Sequence, residues 1–473
     1  MNWTKFAQWA GVAAGVAFVM YVVYSHLQYF RNVSFLGGIL LIEIIVASLW
    51  KYDQRFFPLL MVAFVWAGMH VPLEEAWTGG RWVVLAAGAI AGYVVWMKAP
   101  RSPFKTVHLI GFFCVIAAFV SASVSSYIQM ASFNALSLLL LFLYCSAGIR
   151  LAALGREERF LNGLLLACEI ATFGTAVCYL GLGQSIWGNP NALGAAMSIG
   201  VFPILLWGWL TSSGPVAKMR RLLALLFCAY LTFFSAARAG MVAVIVVMLV
   251  FTVCLRQYRL MAKVIGLVLF FVAVGGMWAP EFLNQSLSNL QDVVLYKGHK
   301  EQGMLASRRT PWEDSIASIK QHPLFGTGYG TSPTGQDPGL QFGRFASSAE
   351  TVREHGSSYM TIVEWVGLLG MVPFLALLGL TVAHLWRVCL WMRRTANPHH
   401  SAIPLAMVLL AGFVHAGFED WLFAVGSYPC VYFWSFAFLL ADLIPAKATA
   451  PASAVPVRAI RAPAPFGAVV SNQ

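Results

Sequence analysis

The stretch TVHLIGFFCVIAAFVSASVSS, residues 106–126, decides the class of this fold. It contains no Asp, Glu, Lys or Arg, and a helix of about this length crosses a hydrocarbon core of ~30 Å. Its apolar residues are continuous and do not alternate, which excludes a strand of a membrane β-barrel. The stretch therefore predicts a membrane-spanning helix.

Runs of the same kind recur along all 473 residues, of which 59% are hydrophobic and 11% charged. Ordinary soluble domains carry about 25% charged residues, so a soluble class is excluded. We predict an all-α, polytopic helical membrane protein with about fourteen spans, or 12–14. The predicted spans lie near 7–24, 33–50, 56–71, 82–97, 106–126, 133–149, 160–182, 191–211, 221–236, 239–255, 261–278, 358–386, 402–417 and 421–444.

The basic residues predict an orientation for these spans. Most Lys and Arg residues fall in alternate short connections, and such connections face the cytoplasm. Both termini are therefore expected in the cytoplasm, and the long connection 279–355 is expected on the opposite, outer side of the membrane. The net charge of +12 follows from this bias, and it indicates no nucleic-acid partner. We divide the chain into a membrane domain (1–278), the outer loop (279–355), further spans (356–445) and a disordered cytoplasmic tail (446–473).

The outer loop contains a predicted amphipathic helix near 311–321. Thr310 can cap it, Pro311 suits its first position, and Glu313 completes a capping box. Arg308 and Arg309 would then flank a helix N-terminus, which favours an anion such as a lipid phosphate. Lipid headgroups or nearby acids are equally compatible partners for these arginines. The glycine-rich segment 326–330 behind the helix is expected to form a flexible turn.

Several polar residues near span ends are candidates for chemistry. His355 lies where the chain re-enters the membrane, so it can serve as a general base or as an ordinary interfacial residue. Arg238 lies between two spans with no acid nearby. A charge within the membrane is costly, so Arg238 either has a function or extends to the outer interface. Glu364 is expected to have a packing role or to form an internal hydrogen bond. Glu419 and Asp420 could border an acceptor path or form a solvated turn.

Four segments together resemble the bacterial O-antigen ligase and polymerase family. They are GNPNALGAAMSIG (188–200), SAARAG (235–240), RRTPWEDSIASIKQHPLFGTGYG (308–330) and REHGSSYMTIVEWVGLLG (353–370). The resemblance covers about 185–375, and its order and spacing carry more weight than any one segment.

The resemblance implies a GT-C-like, metal-independent and inverting glycosyltransferase without a cofactor. Its donor would be a glycan on undecaprenyl pyrophosphate, used at the periplasmic face of the bacterial inner membrane. The acceptor could be a growing polysaccharide, the lipid A core or a protein. His355 would activate the acceptor hydroxyl, and Arg238 with Arg308 or Arg309 would bind the leaving pyrophosphate. The same resemblance makes substrate-binding candidates of Arg309, Asn189, Asn191, Glu354 and Arg353.

The chain departs from the family pattern in two places. The family usually has Asn or Ser after its histidine and a glycine eleven residues beyond it, whereas Gly356 follows His355 here and Gly367 comes at twelve. The predicted number of spans also exceeds the twelve often found in the ligases, which favours a polymerase or a divergent branch. A flippase for lipid-linked oligosaccharides is the alternative, although it would need cations along a central cavity.

Overall fold

The computed structural model describes residues 56–69, 74–98, 101–187, 189–259, 306–332 and 353–445, with a few isolated positions besides. Within these ranges the chain is helical. The helices are α1 (Phe56–Trp66), α2 (Glu74–Lys98), α3 (Thr106–Ser123), α4 (Ile128–Ser146), α5 (Gly148–Ala153), α6 (Glu157–Ala176), α7 (Pro190–Ala195), α8 (Phe202–Thr211), α9 (Pro215–Phe234), α10 (Arg238–Cys254), α11 (Ala306–Gln321), α12 (Ser358–Thr395), α13 (Ala402–Ala416) and α14 (Tyr428–Leu443). Short π-helical turns at Val177–Gly181 and Ala196–Val201 extend α6 and join α7 to α8.

Six helical segments of the described chain are long and apolar enough to cross a membrane. Shorter apolar helices accompany them, namely α1, α10, α13 and α14. The predicted class of helical membrane protein is thus supported, whereas about fourteen spans and a GT-C-like arrangement stay predictions. The predicted spans 7–24, 33–50 and most of 261–278 lie outside the described residues, as do 279–305, 333–352 and 446–473.

The centre of the bundle is formed by α13 and α14, whose side chains are almost all buried. Aromatic residues of α14, such as Trp434 and Phe436, fill the space between neighbouring helices. The outer faces of the bundle carry large apolar side chains instead, as at Phe112 and Ile245. Apolar side chains thus lie both inside the bundle and on its outer faces. A lipid environment permits this distribution, since lipid tails are as apolar as a protein core.

Helix α12 is interrupted at Gly367, whose φ of 67° lies in the left-handed region that favours glycine. The carbonyls of Glu364 and Trp365, freed by the break, accept hydrogen bonds of 2.9 and 3.2 Å from amides of the loop 323–328. Amides just after the break donate to carbonyls at the start of the same loop. The loop thus satisfies backbone groups that lipid could not satisfy.

The glycine-rich segment 326–330 is buried, and the expectation of a flexible turn there is wrong. The Tyr329 hydroxyl donates to the Phe423 carbonyl at 2.7 Å, and the Asn134 amide donates to the Gly330 carbonyl at 3.0 Å. Glycine is required here for close approach rather than for mobility, because a Cβ on Gly330 would lie 2.4 Å from Asn134.

The predicted start of the outer helix is also wrong, because α11 begins at Ala306 and not near Pro311. Pro311 lies inside α11, close enough to its start that the missing N–H removes only one early helical bond. Thr310 therefore does not cap the helix, and the predicted capping box does not form. Arg308 lies on the first turn of α11 and projects from the helix side, not from a free N-terminus.

Candidate functional site

One end of the bundle collects residues that are far apart in sequence. The starts of α7, α10, α11 and α12 meet there around the loop 417–427, which connects α13 to α14. The loop is fixed at both ends. The Ser358 amide and hydroxyl donate to the Glu419 carbonyl, while the Ser358 oxygen accepts from the Leu422 amide at 3.0 Å. Arg81 donates to the Gly426 carbonyl at 2.7 Å.

Arg308 is the cation that connects α11 to this loop. Its Nη1 donates to Glu354 at 2.7 Å, and its Nη2 donates to Glu419 at 2.5 Å. The Arg308 side chain is 12% exposed, whereas Glu354 is 65% exposed. A Cβ at Gly356 would approach Arg308 Cδ to 2.9 Å. Gly356 also has a φ of 69°, in the left-handed region that favours glycine, so the backbone and the packing of Arg308 both favour glycine at this position.

Arg238 is the first residue of α10 and lies half-buried near the same site. The positive charge of Arg308 acts unfavourably on the positive charge of Arg238. Asn191 reaches the site as well, because its amide donates to Glu419 at 3.4 Å. Asn189 has a local role, since its side chain caps α7 by accepting from the Ala192 amide at 2.7 Å.

His355 lies beside this basic group and is buried. Its Nδ1 donates to Asp420 Oδ2 at 3.1 Å, and its backbone amide donates to the same oxygen at 3.1 Å. Its Nε2 lies 2.7 Å from Ser332 Oγ, which also accepts from Trp365 Nε1 at 3.0 Å. An imidazole held at Nδ1 by a carboxylate is a good general base, because the carboxylate stabilises the imidazolium that forms.

Glu364 joins this group through an internal hydrogen bond, which is one of the two roles expected for it. Its Oε1 lies 3.5 Å from His355 Nε2, and its Oε2 accepts from Arg353 at 2.7 Å. Arg353 thus balances the charge of Glu364 inside the protein. Nine residues separate Glu364 from His355, and the two meet because α12 begins only at Ser358.

The carboxylates around His355 change its protonation. Burial alone would lower the pKa of His355, but hydrogen bonds and charges from Asp420 and Glu364 raise it above the ordinary histidine value. Burial likewise opposes ionisation of Asp420, yet the bonds from His355 hold the pKa of Asp420 below its usual range. Burial raises the pKa of Glu419, with Arg308 acting in the opposite direction.

Arg309 is not part of this group. It points away from the site, is 80% exposed and pairs with Glu313 one turn along α11 at 2.9 Å. The described ranges contain no group of three or more His, Cys, Asp and Glu side chains that could hold a metal ion. The positive charges described at the site are those of Arg308 and Arg353, and His355 is its titrating base.

Comparison with known proteins supports the predicted resemblance over part of the chain. Among curated proteins, none matches. A family model, described as O-antigen ligase, matches residues 223–374. The matched range contains Arg238, Arg308 and His355, and it leaves out the Asn189–Asn191 segment and the loop 417–427. Across residues 223–374, from α9 to the first half of α12, this chain is related to the O-antigen ligases.

Proposed function

We propose that this protein is a membrane glycosyltransferase of the O-antigen ligase type. It transfers a glycan from undecaprenyl pyrophosphate to an acceptor hydroxyl, at the periplasmic face of the bacterial inner membrane. The acceptor is a growing polysaccharide or the lipid A core. The observation that carries this proposal is the juxtaposition of Arg308 and His355. Residues 354–356 lie directly against Arg308, through the Glu354 ion pair and the close approach at Gly356.

The arginines supply the charge that the leaving group requires. A departing pyrophosphate gains negative charge in the transition state, and fixed guanidinium groups stabilise it most where water is excluded. Arg308 can exchange its partner Glu354 for a phosphate. The Glu354 carboxylate is mostly exposed, so water solvates it after a phosphate takes its place on Arg308. Arg238 then serves as a second cation for the same diphosphate, because its charge already acts on Arg308.

His355 supplies the base. Its Nε2 takes the proton of the acceptor hydroxyl as that oxygen attacks the anomeric carbon, and the bond from the carbon to the pyrophosphate oxygen breaks on the opposite side. Asp420 and Glu364 stabilise the resulting imidazolium from either side. A direct displacement of this kind inverts the anomeric configuration and requires only residues of this chain and the two substrates.

The test compares His355→Ala and Arg238→Ala with the unmodified chain in reconstituted membranes. Undecaprenyl-pyrophosphate-linked glycan is the donor, and polysaccharide or lipid A core lacking the glycan is the acceptor. Loss of the base is expected to lower the transfer rate about 10²- to 10⁴-fold. Both variants must insert and elute as folded protein. Unchanged transfer in both would overturn the catalytic assignment, and donor retained in the cytoplasmic leaflet of cells would support a flippase instead.

A further inference from the structure

The hydroxyl of Ser332 lies where the proposed mechanism needs the hydroxyl of the acceptor. Ser332 Oγ is 2.7 Å from His355 Nε2, the nitrogen opposite the one held by Asp420. Trp365 Nε1 donates to the same oxygen at 3.0 Å. An indole nitrogen can only donate, so the serine oxygen accepts from Trp365 and its own proton is free for His355 Nε2.

The pair of contacts defines a binding position for one alcohol. An alcohol oxygen in this position accepts one hydrogen bond from Trp365 and donates its proton to His355. Glu364 Oε1 lies 3.5 Å from His355 Nε2 and forms an ion pair with the imidazole once it is protonated. Glu364 therefore stabilises the imidazolium that forms when His355 takes the proton of the alcohol. We call His355 Nε2 and Trp365 Nε1 the hydroxyl seat.

We infer that Ser332 is an internal substitute for the acceptor alcohol, and that a sugar hydroxyl displaces it from the hydroxyl seat before transfer. This inference rests on the proposed function, in which His355 is the base. It assigns Trp365 as a residue that binds the acceptor oxygen, and Ser332 as a competitor that the acceptor must overcome.

The local backbone allows this exchange without refolding. The chain leading to Ser332 is held in place, because Thr331 Oγ1 bonds with Ser125 Oγ at 3.1 Å and the Gly330 carbonyl accepts from Asn134. Rotation about the Cα–Cβ bond of Ser332 moves its hydroxyl out of the seat while these contacts stay. The exchange therefore breaks two side-chain hydrogen bonds, which the incoming alcohol forms again.

Occupation by Ser332 has a chemical benefit. His355 and Ser332 are both buried, so water does not reach the base in this state. A base open to water would pass the glycan to water and hydrolyse the donor. The serine hydroxyl keeps water out until an acceptor with additional binding contacts replaces it.

The experiment measures transfer kinetics of Ser332→Ala in the reconstituted full-length chain, with the lipid A core as acceptor. Removing the competitor is expected to lower the acceptor KM by about three- to tenfold, the value of one lost hydrogen bond, with kcat changed less than about twofold. Release of free glycan without acceptor should rise. The matched control is Thr381→Val, which removes a buried hydroxyl farther along α12, bonded to the Leu377 carbonyl at 2.8 Å, and should leave KM unchanged.

A lower kcat at unchanged KM would overturn the inference, because Ser332 would then belong to the proton transfer itself. Unchanged KM and unchanged hydrolysis would overturn it as well. A second readout is independent of turnover. In protein labelled with ¹⁵N-histidine, the His355 Nε2 resonance, identified by its loss in His355→Gln, should move in Ser332→Ala. If the unmodified chain transfers glycan neither to polysaccharide nor to the lipid A core, the proposed function is wrong. The hydroxyl seat is tested separately by the resonance, and a His355 Nε2 resonance that does not move in Ser332→Ala refutes it.

Discussion

Two clusters of arginine and carboxylate lie at opposite ends of the bundle, separated by the length of α14, about 24 Å at 1.5 Å per residue. At one end Arg150 is fully buried and grips Asp442 with two nitrogens, at 2.6 and 3.2 Å. Lys105 pairs with the same carboxylate at 3.1 Å. At the other end Arg308 lies between Glu354 and Glu419. The same side-chain types thus serve two different purposes.

Each guanidinium nitrogen of Arg150 has a partner. Its remaining donors reach the carbonyls of Ser146 and Pro103 at 3.0 and 2.9 Å, and its guanidinium stacks 4.2 Å from the ring centre of Trp96. A buried charge of this kind is tolerated because its hydrogen-bonding groups are paired. We therefore assign the Arg150–Asp442 pair a structural role, in which it connects α14 to the helices α2–α5.

The cluster around Arg308 is incomplete in a specific way. One of its carboxylates, Glu354, is mostly exposed and therefore exchangeable. The carboxylate at the other end, Asp442, is only 2% exposed and is paired with the fully buried Arg150. An exposed carboxylate can be exchanged for a phosphate at little cost, whereas removal of a buried one leaves an uncompensated charge. This difference in exposure separates a structural ion pair from a candidate site.

The largest effect is expected from Asp442→Ala, which leaves Arg150 buried without its counter-ion. We expect a loss of about 3–5 kcal/mol in the free energy of unfolding, measured as thermal denaturation in detergent. The double variant Arg150→Met/Asp442→Ala should lose less, since it removes the stranded charge too. If the double variant is no more stable than Asp442→Ala alone, the unpaired charge of Arg150 is not the cause of the lost stability.

At the other end Arg308→Ala should lower transfer about 10²- to 10³-fold, with a smaller loss of stability than Asp442→Ala, because the carboxylates that it leaves unpaired are partly exposed. The matched control is Arg309→Ala on the same helix, because Arg309 is 80% exposed and pairs only along the surface. Its effect on transfer should stay within about twofold, in line with the small value of exposed ion pairs. Equal losses in both variants would contradict the geometric distinction between them.

Only one side of this contrast could be predicted from sequence, because continuous apolar runs indicate the helices and the ordered motifs point to Arg238, Arg308 and His355, whereas no motif marks Arg150 and Asp442, which lie 292 positions apart. The start of α11 could not, because Thr310 and Pro311 fit a first turn and also tolerate an earlier one. The run of glycines was misleading for a related reason. A glycine permits both a flexible turn and a close contact, and only the break at Gly367 shows which applies.

The partners of His355 were the part that sequence left undecided. Asp420 is 65 positions from His355, and it reaches the histidine only because Ser358 fixes the loop 417–427 against α12. Ser332 carries no motif of its own, so nothing in the sequence distinguishes it from other loop serines. A usable signal did exist in the acidic pair Glu419–Asp420, which falls at the same predicted membrane face as the arginines.

The smallest expected effect concerns pH and sharpens the comparison at the Arg308 end. Because the pKa of His355 is raised, the neutral imidazole that acts as a base forms only as the pH rises past that pKa, so kcat/KM should fall on the acidic side. Asp420→Asn removes one of the two charges that raise the pKa. The acidic limb should then move to lower pH, while the maximal rate falls because the imidazolium loses stabilisation.

The control is Asp442→Asn, whose carboxyl lies at the far end of α14 and should leave the limb in place even where the protein is less stable. A limb that stays in place in Asp420→Asn, or moves to higher pH, would show that a group other than His355 controls the rate.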